Sequence, residues 1–298
     1  ADSATAIEKI DPVVIEKVFT ESADDGDLQD IAPGGNYRNS PSYDPNFENR
    51  EVKNTRITIG DTSATYESGK RDDAYAEDTG GYYSYGRYQL YSKGGKESVV
   101  AKFIEWCKVS GFKNIGDDLD SVGAEAAGST IYSIRRPFVS KWIEIANNQS
   151  DDFKKAQHNY IQATHYEVAV AKIKSDYTLD ADDGTHIAGL QDAIWSTAVQ
   201  HGPGTNVFKN AFTSLGISKG DSLEDITDLQ LIAAIYDERS RLITTSDVTK
   251  FPEKYASADV GKLIYFRNYL TNYPDRQSAL VTRYKSEKKV ATSLTAIA

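Results

Sequence analysis

Hydrophobic positions divide the chain near residue 55. Residues 21–55 are first acidic and then rich in Asn, Pro, Gly and Ser, with few aliphatic side chains, which predicts a segment without a core of its own. Residues 7–18 form one short amphipathic stretch, but Pro12 interrupts it. The pattern therefore predicts an N-terminal arm or linker over residues 1–55 and one folded domain over residues 56–298.

Apolar side chains recur at helical spacing through most of the predicted domain. A short helix is expected over residues 62–68, with Asp61 as its N-cap and Gly69 as its stop. A charged loop over residues 70–79 precedes a Gly, Tyr and Ser alternation over residues 80–91 that is typical of a small β-hairpin. Further helices are predicted over residues 96–108, 138–146, 152–174, 185–200, 206–215, 225–242, 260–270 and 274–290. The predicted fold class is α+β, mostly α, with one small hairpin that forms the cleft.

The net charge of −10 excludes several classes of function. Phosphate neutralisation needs a basic face, so this charge argues against non-specific binding of nucleic acid and against an anionic membrane surface. No apolar run approaches the roughly 18 residues of a membrane-spanning helix. The single cysteine, Cys107, lies on an apolar helical face and is predicted to be an inert buried thiol. His158 and His165 lack an acidic partner at ligand spacing, so no metal or other cofactor is predicted.

Two acidic residues have the chemistry that glycoside hydrolysis requires. Glu67 lies in the last turn of its predicted helix, and Asp78 follows eleven residues later at the start of the predicted hairpin. The helix dipole and burial by Tyr66 disfavour the charged form of Glu67, which suits a general acid. Asp78 would stay ionised and activate water or stabilise the positive transition state. Both could instead be solvated carboxylates, and three others compete with Asp78 for its role, namely Glu77, Asp72 and Asp73.

The segments around these carboxylates resemble a known family. They are Tyr66-Glu67-Ser68-Gly69 and the run Asp78-x-Gly80-Gly81-x-x-Ser84-Tyr85-Gly86-x-Tyr88-Gln89-Leu90. They resemble the lysozyme-like C-terminal domains of type VI secretion spike proteins, which have related modules in bacteriophage tails and belong to the lysozyme superfamily. Two later segments match in the family's order, Trp195-Ser196-Thr197-Ala198-Val199-Gln200-His201-Gly202 and Ile235-Tyr236-x-Glu238-Arg239. The resemblance covers about residues 57–290.

The resemblance implies roles for individual residues. The family's catalytic glutamate maps to Glu67, and the aspartate before its Gly-Gly pair maps to Asp78. Ser84 stands at the offset where phage-type lysozymes place a threonine hydroxyl that holds the attacking water, although a serine of the hairpin turn is the plain alternative. The chain departs from the family in its shorter loop before Asp78 and in one extra tyrosine after Gly81.

Several polar and aromatic side chains are candidates for substrate binding. Tyrosine rings can stack on sugars, but they can equally pack against the helical body. A histidine after a helix can contact a sugar or cap that helix. Arg239 is predicted to form a structural ion pair. The predicted substrate-binding residues are Tyr82, Tyr85, Gln89, Gln200 and His201.

The sequence thus predicts a muramidase-like hydrolase that cleaves β-1,4 bonds of peptidoglycan by general acid/base catalysis. The resemblance implies delivery by a phage tail or a secretion spike, with residues 1–55 as the contact to that machine, and a location in a virion tail or in the bacterial periplasm. No nucleic-acid partner and no membrane insertion are expected. An acidic protein also suits cationic chitosan, so a chitosanase-like hydrolase is one alternative. A catalytically inactive structural component of a virion or spike is the other.

Overall fold

The structure is a computed structural model that describes residues 59–77, 81–223, 225–274 and 276–294, with the backbone alone at 268, 269 and 272. The predicted arm over residues 1–55 and the candidate Asp78 lie outside these ranges. The described chain is mostly helical with one small antiparallel sheet, which confirms the predicted α+β class. It divides into two compact units, Ser63–Ala163 and residues 59–62 with 164–294.

The first helix, α1, spans Asp61–Ser68, one residue longer than predicted. Its end has the geometry of a glycine-terminated helix. Gly69 has a φ of 65°, and its N–H donates to the Thr65 carbonyl at 2.9 Å. The Lys70 N–H reaches back to the Ala64 carbonyl at 3.1 Å. This pair of bonds satisfies carbonyls that the helix end leaves open, so Gly69 stops the helix as predicted.

The sheet of the first unit has three strands where the sequence predicted a two-stranded hairpin. β1 spans Tyr75–Glu77, β2 spans Tyr83–Tyr85 and β3 spans Leu90–Tyr91, in the order β1-β2-β3 with antiparallel pairing. The prediction placed β1 inside the charged loop. Its three residues alternate around one buried side chain, Ala76, and so short an alternation does not stand out among charged neighbours.

The remaining helices of the first unit enclose an aromatic core around Trp142. The Trp142 ring packs against Tyr85 at 5.3 Å and against Phe153 at 4.8 Å between centroids. Cys107 is also buried here, as predicted, and burial raises the pKa of its thiol to about 12. The helices are α2 Val99–Val109, α3 Lys113–Asp120, α4 Ala124–Ala127, α5 Tyr132–Asn148 and α6 Ser150–Ile161.

The regular structure of the second unit is helical within the described residues, but two of its segments differ from the prediction. The predicted helix over residues 152–174 is interrupted by a π-helical turn, Gln162–Tyr166. The predicted helix over residues 260–270 is mostly irregular, because four consecutive buried apolar residues from Leu263 to Phe266 mimic a helical core. The helices are α7 Glu167–Tyr177, α8 Ala188–His201, α9 Val207–Ser214, α10 Asp228–Arg239, α11 Thr245–Lys250, α12 Arg267–Asn272 and α13 Arg276–Ser293.

Candidate active site

Glu67 is a buried carboxylate in the last turn of α1, with 2% of its surface exposed. The next residue, Ser68, links the end of the helix to the loop between β2 and β3 by a hydrogen bond. The Ser68 hydroxyl donates to the Arg87 carbonyl at 2.9 Å and accepts from the Arg71 N–H at 3.1 Å. Tyr66, on its other side, is fully buried. Glu67 therefore has a fixed, largely dry position within the first unit.

The loop between β2 and β3 depends on Gly86. Its φ is 76°, and its N–H donates to the Ala74 carbonyl at 2.6 Å. A Cβ atom at this position would collide with the Gln157 amide oxygen and lie 2.7 Å from the Trp142 ring. Only glycine fits both the backbone conformation and the space.

Gln89 lies at the end of this loop and is 1% exposed. Its φ of 53° is left-handed, and its amide nitrogen donates to the Gly86 carbonyl at 2.9 Å. Its amide oxygen accepts no hydrogen bond from the residues that the structure describes. Gln89 thus holds the loop through the nitrogen of its buried amide.

The acidic residues that compete with Asp78 are engaged with neighbours. Asp72 pairs with Arg87 at 2.8 Å, and Asp73 pairs with Arg71 at 3.0 Å. Glu77, the last residue of β1, accepts a hydrogen bond from the Tyr83 hydroxyl at 2.8 Å. Each of these three carboxylates is thus held by a neighbouring side chain. Asp78 itself directly follows β1 and lies outside the described residues.

Ser84 is the middle residue of the middle strand. It stands opposite Ala76 on β1 and opposite Tyr91 on β3, and it is fully buried. Its hydroxyl has no hydrogen-bond partner within the described ranges. The alternative that Ser84 is a serine of the hairpin turn is therefore wrong, because Ser84 lies within a strand.

The two candidate tyrosines have different environments. Tyr82 is half-buried, and the Lys93 ammonium lies 5.1 Å from its ring centroid. Tyr85 is fully buried, its hydroxyl donates to the Ala127 carbonyl at 3.1 Å, and its ring packs on Phe138 at 5.1 Å. Tyr85 thus supports the core, which corrects its assignment to substrate binding, whereas Tyr82 remains accessible.

Gln200 and His201 end helix α8 and lie in the core of the second unit. The amide oxygen of Gln200 accepts from an Arg239 guanidinium nitrogen at 2.6 Å. His201 is 2% exposed and packs against Phe266 at 5.1 Å and Tyr265 at 5.5 Å between ring centroids. Burial lowers the pKa of His201 well below its usual range, so its imidazole is neutral. Of the candidates, Glu67, Tyr82, Ser84, Tyr85 and Gln89 belong to the first unit, and Gln200 and His201 to the second.

A buried ionic network surrounds Arg239 in the second unit. Arg239 pairs with Glu287 at 3.0 Å, and neither side chain has any exposed surface. Arg283 approaches the other oxygen of Glu287 at 2.6 Å. The hydroxyl of Ser196 also donates to Glu287 at 2.6 Å. The predicted ion pair of Arg239 is confirmed. Its partner, Glu287, is distant along the chain and lies outside the sequence motifs.

A second buried carboxylate, Asp192 on α8, was not predicted. One of its oxygens accepts from the Gly60 N–H at 2.9 Å, and the Thr62 side chain also bonds to it. Its other oxygen has no hydrogen-bond partner among the described residues. Burial raises the pKa of Asp192 to about 6, so the folded protein holds a proton here that the unfolded chain would release.

Asp192→Asn is expected to change how stability depends on pH. Wild-type stability should fall as pH rises from the ordinary aspartate pKa of about 3.9 to the folded value of about 6, because only the folded state keeps the proton. An asparagine does not ionise, so the variant should gain about 3 kcal/mol over wild type between pH 4 and pH 7. Urea unfolding at pH 4, 5, 6 and 7 measures this gain. Parallel pH profiles for the two proteins would rule out a raised pKa.

Among the described residues, no cluster of His, Cys, Asp and Glu side chains could hold a metal ion. His158 shares a hydrogen bond with the Tyr88 hydroxyl at 2.9 Å, and His165 shares one with Thr164 at 2.8 Å. Within the same residues, every helix is too short or too polar to cross a membrane.

The described fold is that of a mostly helical α+β protein with a buried glutamate where a helix end meets a small sheet. A family model described as type VI secretion system spike protein VgrG3-like, C-terminal, matches residues 59–255, and the chain belongs to this family. The chain is similar to the type VI secretion system spike protein VgrG3 of Vibrio cholerae serotype O1, with 30% identity over 195 residues. That match covers 64% of this chain and 16% of the relative, so the chain spans a small part of the relative's length.

Proposed function

We propose that this chain is a peptidoglycan-cleaving glycoside hydrolase with Glu67 as its general acid. The observation that carries the proposal is the setting of Glu67, which is 2% exposed at a helix end fastened to the β2–β3 loop. A general acid must keep its proton near neutral pH, and a dry site at the negative end of a helix favours the protonated form. The family's catalytic glutamate maps to the same position.

Asp78 is the second carboxylate of the proposed mechanism. In the sequence it directly follows Glu77, the last residue of β1. Asp72 and Asp73 each pair with an arginine, which supports Asp78 over these two. In the proposed reaction, Glu67 protonates the leaving glycosidic oxygen, and Asp78 activates water or stabilises the oxocarbenium-like transition state. The Ser84 hydroxyl would help to hold that water.

The family supports a place in a secretion machine. The family and the similar protein of Vibrio cholerae are both named for the spike of the type VI secretion system. We infer that the chain is delivered towards a bacterial cell wall by such a spike, with residues 1–55 as the segment that contacts other components. Delivery by a machine would also offset the poor electrostatic attraction between a chain of net charge −10 and an anionic wall.

Product analysis tests this proposal against its nearest alternative. Purified peptidoglycan and soluble chitosan are incubated with the protein in parallel, and the products are identified by mass spectrometry. We expect fragments with new reducing ends from peptidoglycan alone. The net charge of −10 favours a chitosanase-like activity as second candidate, so cleavage of chitosan alone would support that activity. No products from either polymer would indicate an inactive spike component.

A further inference from the structure

Exposed apolar side chains cluster at the start of helix α5. Ile131, Tyr132 and Ile134 are 57%, 60% and 49% exposed and lie within four residues. A cluster of this kind on an acidic, polar protein marks a binding surface more often than scattered apolar residues do. Among these side chains, the ring of Tyr132 offers the largest flat surface to a ligand.

Tyr132 adjoins an aromatic strip on the sheet of the same unit. Tyr75 and Tyr83 stack with ring centroids 5.9 Å apart, and the Arg135 guanidinium lies 3.8 Å from the Tyr83 centroid. Arg135 follows Tyr132 by three residues on α5, so the two side chains are neighbours on one face of that helix. The strip therefore comprises Tyr132, Tyr75 and Tyr83.

The aromatic strip contacts Glu77, the last residue of β1. The hydroxyl of Tyr83 donates to Glu77 at 2.8 Å, and Glu77 directly precedes Asp78 in the chain. Gly81 lies close to Thr130, which stands two residues before Tyr132. A polymer that reaches Glu77 is thus next to the strip.

Arg136 gives this surface a positive charge. It is exposed and follows Tyr132 by four residues on α5, which places both side chains on the same face of the helix. Sugar rings pack their C–H faces on aromatic rings, and guanidinium groups bind carboxylates. An exposed tyrosine beside an exposed arginine therefore suits a glycan that carries carboxylates, and it disfavours cationic chitosan.

We propose that Tyr132, Tyr75 and Arg136 form an accessory binding surface for an anionic β-1,4 glycan strand of the peptidoglycan type. The inference rests on the proposed function for the identity of the polymer and extends it beyond the two proposed catalytic carboxylates. The surface would hold the strand while Glu67 and Asp78 act on one of its bonds.

Binding can be measured without cleavage in the Glu67→Gln variant. This variant is co-sedimented with purified insoluble peptidoglycan, and the bound fraction gives an affinity. Adding Tyr132→Ala should weaken binding about tenfold, since one exposed aromatic contact is lost. Tyr132→Phe keeps the ring and should bind within about twofold of the parent. Phe251→Ala removes another half-exposed aromatic side chain, 46% exposed, and should leave binding unchanged.

Charge selection is tested in the same assay. Arg136→Gln and added salt should each weaken binding to peptidoglycan, because both reduce the attraction to carboxylates. Unchanged binding by a folded Tyr132→Ala variant, or equal binding to insoluble chitosan, would overturn the proposal. A Glu67→Gln protein that does not bind peptidoglycan at all would also overturn it. If binding depends on Tyr132 while the wild type releases no reducing ends, the surface stands and the hydrolase proposal fails.

Discussion

Glu67→Gln is expected to lower the rate of peptidoglycan cleavage by roughly 10²–10⁴-fold while the protein stays folded. Glutamine has nearly the same shape as glutamic acid, so it fits the buried position at the end of α1, where Glu67 is 2% exposed. It has no proton to give to the leaving oxygen, and glycosidic bonds break slowly without that proton. The loss should appear in kcat, with little change in KM, because the substrate contacts remain.

Glu105→Gln is the matched control for this substitution. Its carboxylate is on the surface, with 68% of the side chain exposed, and pairs with Lys108 at 2.8 Å. The control should cleave peptidoglycan like the wild type, and melting curves of both variants should match that of the wild type. If a folded Glu67→Gln variant keeps most of the wild-type rate, Glu67 is not the general acid.

Glu287→Ala is expected to destabilise the second unit by about 3–5 kcal/mol. Glu287 accepts from Arg239, Arg283 and Ser196 and has no exposed surface. Its removal would leave two buried guanidinium groups without their shared carboxylate, and an uncompensated buried charge is costly. Urea unfolding of the variant and the wild type at pH 7 measures the difference.

Lys288→Ala is the control on the same helix. Lys288 pairs with Asp237 at the surface, where the aspartate is 71% exposed, so the change should cost less than about 1 kcal/mol. Equal losses in the two variants would contradict the argument from burial.

The network around Glu287 also has a pH signature. Burial alone would raise the pKa of Glu287, but Arg239 and Arg283 outweigh it and hold the pKa at about 2. A carboxylate with a lowered folded pKa stabilises the protein above its ordinary pKa. That contribution is lost as pH falls from about 4.3 towards 2.

Local signals in the sequence predicted much of the fold. The stop at Gly69 was predictable because a glycine after a short helix has one usual role, and the backbone bonds at Gly69 and Lys70 confirm it. Helix α8 was predictable from its apolar length, since every one of its residues is buried. Helix α3 was missed because only Ile115 and Leu119 mark its inner face among polar neighbours.

Candidate residues differed in how far the sequence could place them. The burial of Glu67 followed from its position before Gly69 and after Tyr66, which are neighbours in the chain. The burial of Tyr85 was not predictable, because it depends on Phe138 and Trp142 of α5, which are more than fifty residues away. Long-range contacts of this kind leave no local pattern.

The burial of two carboxylates, those of Glu287 and Asp192, was also not predictable from the local sequence. Glu287 lies in the lysine-rich last helix, and Asp192 stands in a helix predicted only from its apolar residues. Their partners are distant along the chain: Arg239 for Glu287 and Gly60 for Asp192. Burial of charge is decided by tertiary packing, so neither role could be read from spacing.

The most direct test of the central claim is the release of new reducing ends from purified peptidoglycan by the wild type and by Glu67→Gln, measured side by side. The proposed mechanism predicts steady release by the wild type and release near background by the variant. No release by the wild type, or equal release by both proteins, would contradict the assignment of Glu67 as the general acid of a peptidoglycan hydrolase.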